Sequence, residues 1–482
     1  MDQTRTPLFD AMISHYNQSP VSFHVPGHKN GNVFPKRGYD FYKSILSIDY
    51  TEITGLDDLH EPEGCIADAQ ALAAAWFGVR KTYFLIGGST VGNLAMILAT
   101  HKQGCPVIVQ RNCHKSVMHG LELAGAKPVF VAPIYDKEHE RMGNVSVDGM
   151  LQAIDDYPDA SGVVLTYPDY FGRTYDLEAI INKAHESGIP VLVDEAHGVH
   201  FSLGGSLPSS AVQLGADVVV QSAHKMAPAM TMGAYLHIGS SRVHHDELSH
   251  YLHMLQSSSP SYPIMASLDL ARYYLGNIDT KAIERTVSDI EELRKALADY
   301  AIWEVLPIEE QLDDPFKLSL RITYPYSSTD IASHLENQGV YPELVTENQL
   351  LFVFGLSLQE NQGSILSRFQ QAAQNVVTSD QVCHATIERE TLYRPLVAQS
   401  PYSFIELKEM DKQYVTWQDA EGKIAAHAVI PYPPGIPLIM KGERILPEHM
   451  KVLKEMLNQN RHVQTNEVSI EKGIHVYIEE TE

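Results

Sequence analysis

The segment IPVLVDEAHG, residues 189–198, joins an apolar run to the acidic pair Asp194 and Glu195. A short run rich in Val, Leu and Ile is typical of a strand that is buried on both faces of a parallel sheet. In such sheets, binding residues collect beyond the carboxyl ends of the strands. The tetrapeptide DEAH is also known from nucleic-acid-dependent ATPases, in which the aspartate helps to hold magnesium. Asp194 is therefore either a metal ligand or the partner of a different group.

Five more segments between residues 80 and 240 read as buried strands and are separated by helical patterns. These segments are TYFLIGG (82–88), PVIVQ (106–110), KPVFVAP (127–133), GVVLTYP (162–168) and ADVVVQSAHK (216–225). The apolar positions of two predicted helices are Ile66, Ala69, Leu72, Ala73 and Trp76, ahead of Gly78, and Val91, Leu94, Ala95 and Leu98. The alternation predicts an α/β architecture with a mainly parallel sheet.

The rest of the chain has a different character. A long helical pattern covers residues 264–300, and a second, smaller α/β pattern runs from FKLSLRITYP to NQLLFVFGLS. The segment 425–445 is rich in proline but is not of low complexity. A last helical stripe follows, formed by Leu446, Met450, Leu453 and Leu457.

Composition limits the classes of partner. The 482 residues include 36 Lys and Arg against 60 Asp and Glu, a net charge of −24. An acidic surface repels phosphate backbones, so we expect no nucleic-acid partner. The phosphate loop GxxxxGK[ST] that an ATPase needs is absent from the sequence, which argues against the ATPase alternative.

The sequence also gives expectations about location and metals. No apolar run approaches the roughly 18 to 20 residues that span a bilayer, and the N-terminus lacks a signal-peptide pattern. The four cysteines show no CxxC spacing, which favours free thiols in a reducing cytoplasm. No HExxH pattern is present, and we expect no metal site.

The turn GGST, residues 87–90, follows a predicted strand and opens a predicted helix. Its glycines let the backbone approach an anion, and Ser89 and Thr90 add hydroxyls to the unpaired N–H groups of the helix start. This turn is suited to a single phosphate group. The alternative is an ordinary capped helix start.

Lys225 follows the strand VVVQ, with Ser222 and His224 beside it. Burial near a strand end lowers the pKa of a lysine, and the neutral amine can form a Schiff base. The alternative is a lysine that extends its ammonium into solvent. A phosphate cradle, a Schiff-base lysine and a strand-end aspartate together suit pyridoxal 5′-phosphate (PLP). Asp194 would then pair with the pyridine nitrogen rather than with a metal ion.

The sequence resembles the group III Orn/Lys/Arg decarboxylases, which are PLP enzymes of fold type I. The segments that carry the resemblance are SFHVPGHKNG (22–31), TEITGLDDLHEPEG (51–64), VQRNCHKS (109–116), VDEAHGVHF (193–201), QSAHK (221–225), QSSSPSYPIMASLD (256–269) and IPYPPGIPL (430–438). The resemblance implies a short form without the wing domain of the large inducible enzymes. It further implies a PLP-binding large domain with its N-terminal segment at 1–290, a small α/β domain at 291–380 and a C-terminal α+β decarboxylase domain at 381–482.

The family pattern assigns roles to individual residues. Lys225, His114 and Asp194 are the implied catalytic residues, with His114 stacked on the pyridine ring and Ala196 on the opposite face. His197 is placed near the ring hydroxyl. The implied phosphate contacts are Gly88, Ser89, Thr90, Ser222 and His224. The run 257–259, represented by Ser258, is implied to approach the cofactor of the partner subunit in a homodimer or higher homo-oligomer.

The resemblance implies α-decarboxylation of a basic amino acid, in the order arginine, lysine, ornithine, with polyamine supply as one role. The carboxylates of Glu343, Glu347 and Glu406 are candidates for holding the cationic side chain. Asp169, in TYPDYFG, departs from the family pattern and either favours a cationic substrate or is a solvated turn residue. The alternatives are another fold-type-I reaction, transamination or elimination, and a non-catalytic binding protein.

Overall fold

The structure of the chain is a computed structural model that describes residues 1–358, 360–374, 376–377, 395–431, 435–458 and 462–479. Cys383, one of the four predicted free thiols, lies outside the described residues. The other three cysteines are free thiols.

The first 279 residues supply ten α-helices and nine strands. The helices are α1 (Pro7–Asn17), α2 (Lys36–Leu46), α3 (Cys65–Phe77), α4 (Gly88–Thr100), α5 (Lys115–Ala124), α6 (Val147–Asp156), α7 (Leu177–Glu186), α8 (Ala223–Met226), α9 (His245–Leu255) and α10 (Tyr262–Asn277). The strands are β1 (Lys81–Leu85), β2 (Pro106–Gln110), β3 (Lys127–Val131), β4 (Pro133–Asp136), β5 (Arg141–Val145), β6 (Gly162–Thr166), β7 (Val191–Asp194), β8 (Val218–Gln221) and β9 (Ala234–Ile238). A short 3₁₀ helix covers Val199–Leu203.

The remaining described residues add one strand to the main sheet and form smaller sheets with their helices. The next elements are α11 (Thr280–Leu297), β10 (Trp303–Val305), β11 (Lys317–Ile322), α12 (Ser328–Asn337), β12 (Leu344–Val345), β13 (Gln349–Val353) and α13 (Gln362–Ala373). The last are β14 (Val397–Gln399), α14 (Phe404–Glu409), β15 (Lys412–Thr416), β16 (Ile424–Ala425), β17 (Ile430–Pro431), α15 (Pro447–Asn458), β18 (Val463–Gln464) and β19 (Gly473–Tyr477).

The main sheet has eight strands in the order β1-β9-β8-β7-β6-β2-β3-β14. Neighbouring strands from β8 to β3 run parallel, and β9 runs antiparallel to both β1 and β8. All six strands predicted from the sequence lie in this sheet. Strand β9 was not predicted, and neither was β14, which pairs with the exposed edge of β3 from the far end of the chain.

Helix α4 brings its N-terminus close to the carboxyl ends of the strands. A Cβ atom on Gly92 would lie 2.8 Å from the Val220 side chain and 2.9 Å from that of Leu85, so only glycine fits there. The helix was predicted correctly, but the prediction of its buried apolar face was wrong. Val91 and Leu98, which were expected on that face, are only half-buried. The most buried face holds Gly92 and Asn93 instead, because this part of the helix lies directly on the sheet.

Two other helix predictions had different outcomes. Helix α3 buries Ile66, Ala69, Leu72 and Ala73 and ends at Gly78 in the left-handed conformation, as expected. The long helix predicted over 264–300 is wrong, because two helices stand there. Asp279 begins the second one by accepting a hydrogen bond from the Lys281 N–H group (3.0 Å).

The small sheet has the order β10-β11-β13-β12, and all its pairs are antiparallel. Strand β11 begins at Lys317, next to the turn at 169–173 that follows β6, because the N–H group of Asp314 donates to the carbonyl of Gly172 (3.0 Å). The small sheet is therefore joined directly to the edge of the main sheet where β6 and β7 end. The predicted domain boundaries at residues 290 and 380 stay a prediction.

Glu195, the second residue of DEAH, is fully buried behind the end of β7. Its carboxylate accepts hydrogen bonds from the Ala211 N–H group (2.7 Å), the Ser210 hydroxyl (2.9 Å) and the Gln221 amide (2.7 Å). Burial raises the pKa of Glu195 to about 8, although these hydrogen bonds act in the opposite direction. Glu195 therefore ties β7 to β8 and to the 210–211 loop, and it belongs to the scaffold of the fold.

This environment predicts a pH-dependent stability. The native state retains a proton on Glu195 that the unfolded chain releases above its usual pKa of 4.5, so stability falls as the pH rises from 4.5 towards about 8. The loss is at most about 1.4 kcal/mol per pH unit. Unfolding free energies from urea titrations at about pH 5.5 and about pH 7.5 should show a smaller decrease for Glu195→Gln than for the wild type. The exposed Glu421→Gln should behave as wild type; equal decreases in all three proteins would contradict the prediction.

An apolar band is exposed between residues 21 and 42. Phe23 is 94% exposed, Phe41 89% and Val21 77%. Exposed large apolar side chains that lie together on a surface are typical of a contact with another protein. The expected homodimer stays a prediction, and this band is the candidate for its contact surface.

We predict that the double substitution Phe23→Asp and Phe41→Asp weakens self-association, because two carboxylates would be buried in the subunit contact. Light scattering should report a molar mass about half that of the wild type for a two-subunit assembly. Val468→Asp, at a residue that is 99% exposed outside the band, is the control and should keep the wild-type mass. A wild-type mass for the double variant would rule out this band as the contact.

Candidate functional site

The site forms where β7 and β8 end side by side. These strands are parallel neighbours, so Asp194, the last residue of β7, and Lys225, four residues after β8, lie at the same edge of the sheet. The turn 87–90 after β1 opens α4 at this edge as well. The three sequence motifs thus converge, as the sequence predicts.

Asp194 is a buried carboxylate with one strong neutral donor. Its Oδ2 accepts from the Asn93 amide (2.7 Å), and its Oδ1 accepts from the Ala196 N–H group (3.2 Å). In the described part of the chain, no lysine or arginine forms an ion pair with Asp194, which is only 2% exposed. A buried carboxylate of this kind is suited to a positively charged partner other than the side chains that the structure describes.

His114 is the N-cap of α5 and is connected to Asp194 by two side chains. The Asn93 amide donates its second hydrogen to Ser116 Oγ (2.9 Å), and Ser116 Oγ lies 2.8 Å from His114 Nδ1. The Ser116 N–H group also donates to His114 Nδ1 (3.3 Å). Nδ1 is therefore an acceptor, and a neutral His114 carries its proton on Nε2. Burial lowers the pKa of His114, while Asp194 opposes this shift.

Lys225 contacts His197, and His197 contacts a second lysine. His197 Nε2 lies 2.9 Å from Lys225 Nζ, and His197 Nδ1 lies 3.0 Å from Lys317 Nζ. Although Lys225 is accessible from the open edge of the sheet, the protein packed around it lowers the pKa of its ammonium, against the carboxylates of Asp194 and Glu343. Complete burial lowers the pKa of Lys317 to about 8. Burial, followed by the two lysines, keeps the pKa of His197 well below its usual value.

The residues predicted to contact a phosphate surround the start of α4. Ser89 Oγ and Ser222 Oγ lie 2.6 Å apart and both side chains are buried. Thr90 is exposed, and His224 Nδ1 lies 3.1 Å from the carbonyl of Gly233. Gly88 has a φ of +72°, which favours glycine. Among the described residues no side chain caps this helix, although the N–H group of its first residue, Gly88, donates to the carbonyl of Met232 (2.9 Å). The N–H groups that follow at the helix start are the candidates for contact with an anion.

The other predicted residues are more scattered. Glu343 lies close enough to Lys225 and Lys317 to affect both, and its Oε1 accepts from the Tyr170 hydroxyl (2.6 Å). Glu347 is exposed in the turn between β12 and β13. Ser258 is exposed on the loop before α10, and its approach to the cofactor of a partner subunit stays a prediction.

Two predictions need correction. Glu406 belongs to the capping box of α14, where its carboxylate accepts from the N–H (2.6 Å) and hydroxyl (2.7 Å) groups of Ser403, so it is a helix cap rather than a substrate ligand. Asp169 is not a solvated turn residue. It is buried, its Oδ1 accepts from the Arg173 N–H group (2.9 Å), and burial raises its pKa against the opposing charges of Arg141 and Lys317.

Sequence analysis missed two residues of this site. Asn93 follows the predicted phosphate turn by one helical turn, and that position was the available signal. Lys317 is the second residue of the segment FKLSLRITYP, and nothing in the sequence indicated that its side chain would reach His197. Both are placed by packing between elements that are far apart in the chain.

A second cluster of titratable groups lies in the C-terminal region. His427, Glu467 and His475 have ligand atoms within 4.8 Å of one another. Each histidine Nδ1 contacts the Glu467 carboxylate, at 2.8 Å and 2.7 Å, so hydrogen bonds account for the arrangement. The expectation that the protein uses no metal stays a prediction.

Comparison with protein families identifies two matching descriptions. Residues 6–319 match the Orn/Lys/Arg decarboxylase major domain, and residues 389–466 match the Orn/Lys/Arg decarboxylase C-terminal domain. Among the helices of the described residues, none combines the length and the apolar composition that a membrane crossing requires.

Individual proteins give the same result. The chain is 44% identical to YaaO of Bacillus subtilis, an uncharacterised protein, over 98% of this chain and 99% of that one. It is 33% identical to an arginine decarboxylase of Bacillus subtilis over 97% of each chain. The structure of lysine decarboxylase A from Pseudomonas aeruginosa superimposes with a TM-score of 0.79 at 20% identity, over 98% of this chain and 80% of that one. The fold is that of the fold-type-I PLP enzymes, and the chain belongs to the Orn/Lys/Arg decarboxylase family.

Proposed function

We propose that this protein is a PLP-dependent decarboxylase that removes the α-carboxylate of a basic amino acid. Arginine is the first candidate substrate, lysine the second and ornithine the third. The observation that carries the proposal is the near full-length match to Bacillus arginine decarboxylases, at 32–33% identity. The meeting of Lys225, Asp194 and His114 at one sheet edge supports it.

The residues fit PLP. Asp194 is a buried carboxylate that lacks a cationic partner in the described residues and would hold the protonated pyridine nitrogen. The uncapped start of α4, with Ser89 and Ser222, would hold the phosphate. Lys225, whose pKa is lowered, would hold the aldehyde carbon. The bound cofactor supplies an acceptor for the electron pair that remains when carbon dioxide leaves.

The chain's own residues bind, orient and move protons. Asn93 fixes the direction of the Asp194 carboxylate, so that charge is positioned before the reaction begins. The hydrogen bonds to His114 Nδ1 leave its Nε2–H group as a donor. A neutral Lys225 amine acts as a nucleophile and as an acceptor or donor of a proton at Nζ.

The charges near Lys225 favour a cationic substrate. The Glu343 carboxylate faces both lysines and is oriented by the Tyr170 hydroxyl. It is our candidate for the group that holds the guanidinium or ammonium end of the substrate. The net charge of −24 attracts basic amino acids at long range.

We further propose that the active form is at least a homodimer and that it acts in the cytoplasm, with polyamine supply as a role. The exposed apolar band at residues 21–42 supports the first statement. The free thiols Cys65, Cys105 and Cys113 support the second.

Asn93→Ala should weaken PLP binding by about 10- to 100-fold. The substitution removes a hydrogen bond to a buried charge, which contributes about 1.5–3 kcal/mol. The measurement is a fluorescence titration of the cofactor-free protein with PLP. Asn277→Ala, at an exposed asparagine whose amide bonds only backbone carbonyls, is the control and should bind as wild type. Equal dissociation constants for all three proteins would show that Asn93 does not support the cofactor.

The proposed reaction predicts the products directly. The PLP-loaded protein, incubated separately with arginine, lysine and ornithine, should form agmatine fastest, then cadaverine and putrescine, as identified by mass spectrometry. Lys225→Ala should form none of them, because the covalent attachment is lost. A keto acid in place of an amine would indicate transamination. Absence of all three amines, in protein that binds PLP, would reject the proposed substrate class.

A further inference from the structure

His197 is bonded at both ring nitrogens by lysines from different parts of the chain. Lys225 Nζ lies 2.9 Å from Nε2, and Lys317 Nζ lies 3.0 Å from Nδ1. His197 and Lys317 are 7% and 2% exposed. Water therefore has little access to His197 and Lys317, whose hydrogen bonds must be satisfied internally, whereas the Lys225 side chain is also open to the site.

The number of protons on this set is limited by its geometry. An ammonium can only donate hydrogen bonds, and a neutral imidazole offers one donor and one acceptor. With both contacts formed, a neutral His197 therefore allows at most one of the two lysines to be an ammonium. If His197 were charged, both lysines would have to be neutral. In every arrangement the three side chains carry at most one positive charge, and at least one amine is neutral.

We propose that Lys317 is a positioning residue that exchanges a proton with Lys225 through the imidazole of His197. The proposal rests on the proposed function, since it concerns the amine that would hold the cofactor. When Lys225 loses a proton, its Nζ–H passes to His197 Nε2 while His197 Nδ1–H passes to Lys317 Nζ. Two protons move, no net charge is created, and the reverse transfer restores Lys225.

The surroundings of Lys317 let it hold either protonation state. Its Nζ donates to the Tyr170 carbonyl (3.3 Å), a contact that an amine and an ammonium both make. Asp314, Asp169 and Glu343 favour the charged form, and Lys225 together with burial disfavours it. Asp314 Oδ1 is also 3.1 Å from His200 Nε2, so that carboxylate is shared with a second partner.

Lys225, unlike the buried Lys317, is open to the site. Asp194 and Glu343 favour the ammonium form of Lys225. Besides the two lysines, His200 and His224 lower the pKa of His197, and the Tyr170 ring packs edge-on against the His197 ring with 4.7 Å between the ring centroids. Without Lys317, the acidic groups would act on Lys225 alone, and His197 could accept a hydrogen bond from a charged Lys225. Lys225 would then bind its proton more tightly.

The test is the pKa of Lys225, measured by competitive labelling of the full-length, cofactor-free protein with acetic anhydride and by peptide mass spectrometry as a function of pH. Lys317→Met should raise this pKa by about one unit, which slows labelling of Lys225 at neutral pH about tenfold. Lys317→Arg places a guanidinium, which does not give up its proton, beside His197 Nδ1. His197 then keeps its proton on Nε2 and Lys225 must stay neutral, so the pKa of Lys225 should fall below that of wild type. Lys295→Met, at an exposed lysine on α11, is the control and should change nothing.

A second pair of variants, made in the His197→Leu protein, tests whether Lys317 changes the pKa of Lys225 through the imidazole or by direct electrostatic interaction. In His197→Leu, adding Lys317→Met should no longer shift the pKa of Lys225. A full shift in that background, or no shift in Lys317→Met alone, would overturn the proposal. If melting curves show Lys317→Met to be unfolded, Lys317→Gln replaces it with the same expectation. Labelling needs neither cofactor nor substrate, so its outcome is independent of whether the protein decarboxylates arginine.

Discussion

The site depends on an uncompensated carboxylate at the end of a buried strand. Removing a charge from water costs several kcal/mol unless nearby groups offset it. The direct contacts of the Asp194 carboxylate are an amide and one backbone N–H group, and no lysine or arginine of the described residues forms an ion pair with it. That arrangement is tolerable because Asn93 is itself fixed by Ser116 and because Gly92 allows α4 to lie directly on the sheet. The close packing of α4 on the sheet therefore brings the Asn93 amide to Asp194 and stabilises the buried charge at the end of β7.

The two acidic residues of DEAH show how one turn serves two purposes. The side chain of Asp194 lies at the open edge of the sheet, and that of Glu195 lies in a closed pocket of three donors. Gln221, one of those donors, is held in turn by His237 Nε2 at 2.9 Å from its Oε1. The rigidity of the scaffold behind Glu195 is what holds the neighbouring Asp194 in place.

Much of the fold could be predicted because its signals are local. Six buried strands, the turn at residues 87–90 and the positions of Asp194 and Lys225 follow from apolar runs and from the residues that end them. Strand β9 and the break at Asp279 were missed, since pairing in an antiparallel direction and a single capping residue leave little trace in apolar periodicity. Asn93 and Lys317 could not be assigned roles, because their partners are 101 and 120 residues away and are set by tertiary packing.

Lys317 also explains a glycine in the turn that departs from the family pattern. Gly172 has a φ of +92°, and a Cβ atom there would lie 2.7 Å from the Asp314 side chain and 2.8 Å from that of Lys317. Any larger residue would push β11 away from the edge of the main sheet. The Tyr170 carbonyl and Asp169 in the same turn also face Lys317. The unusual turn is therefore best understood as the surface against which the small sheet presents its lysine to His197, and the buried Asp169 supplies part of the negative charge that this lysine requires.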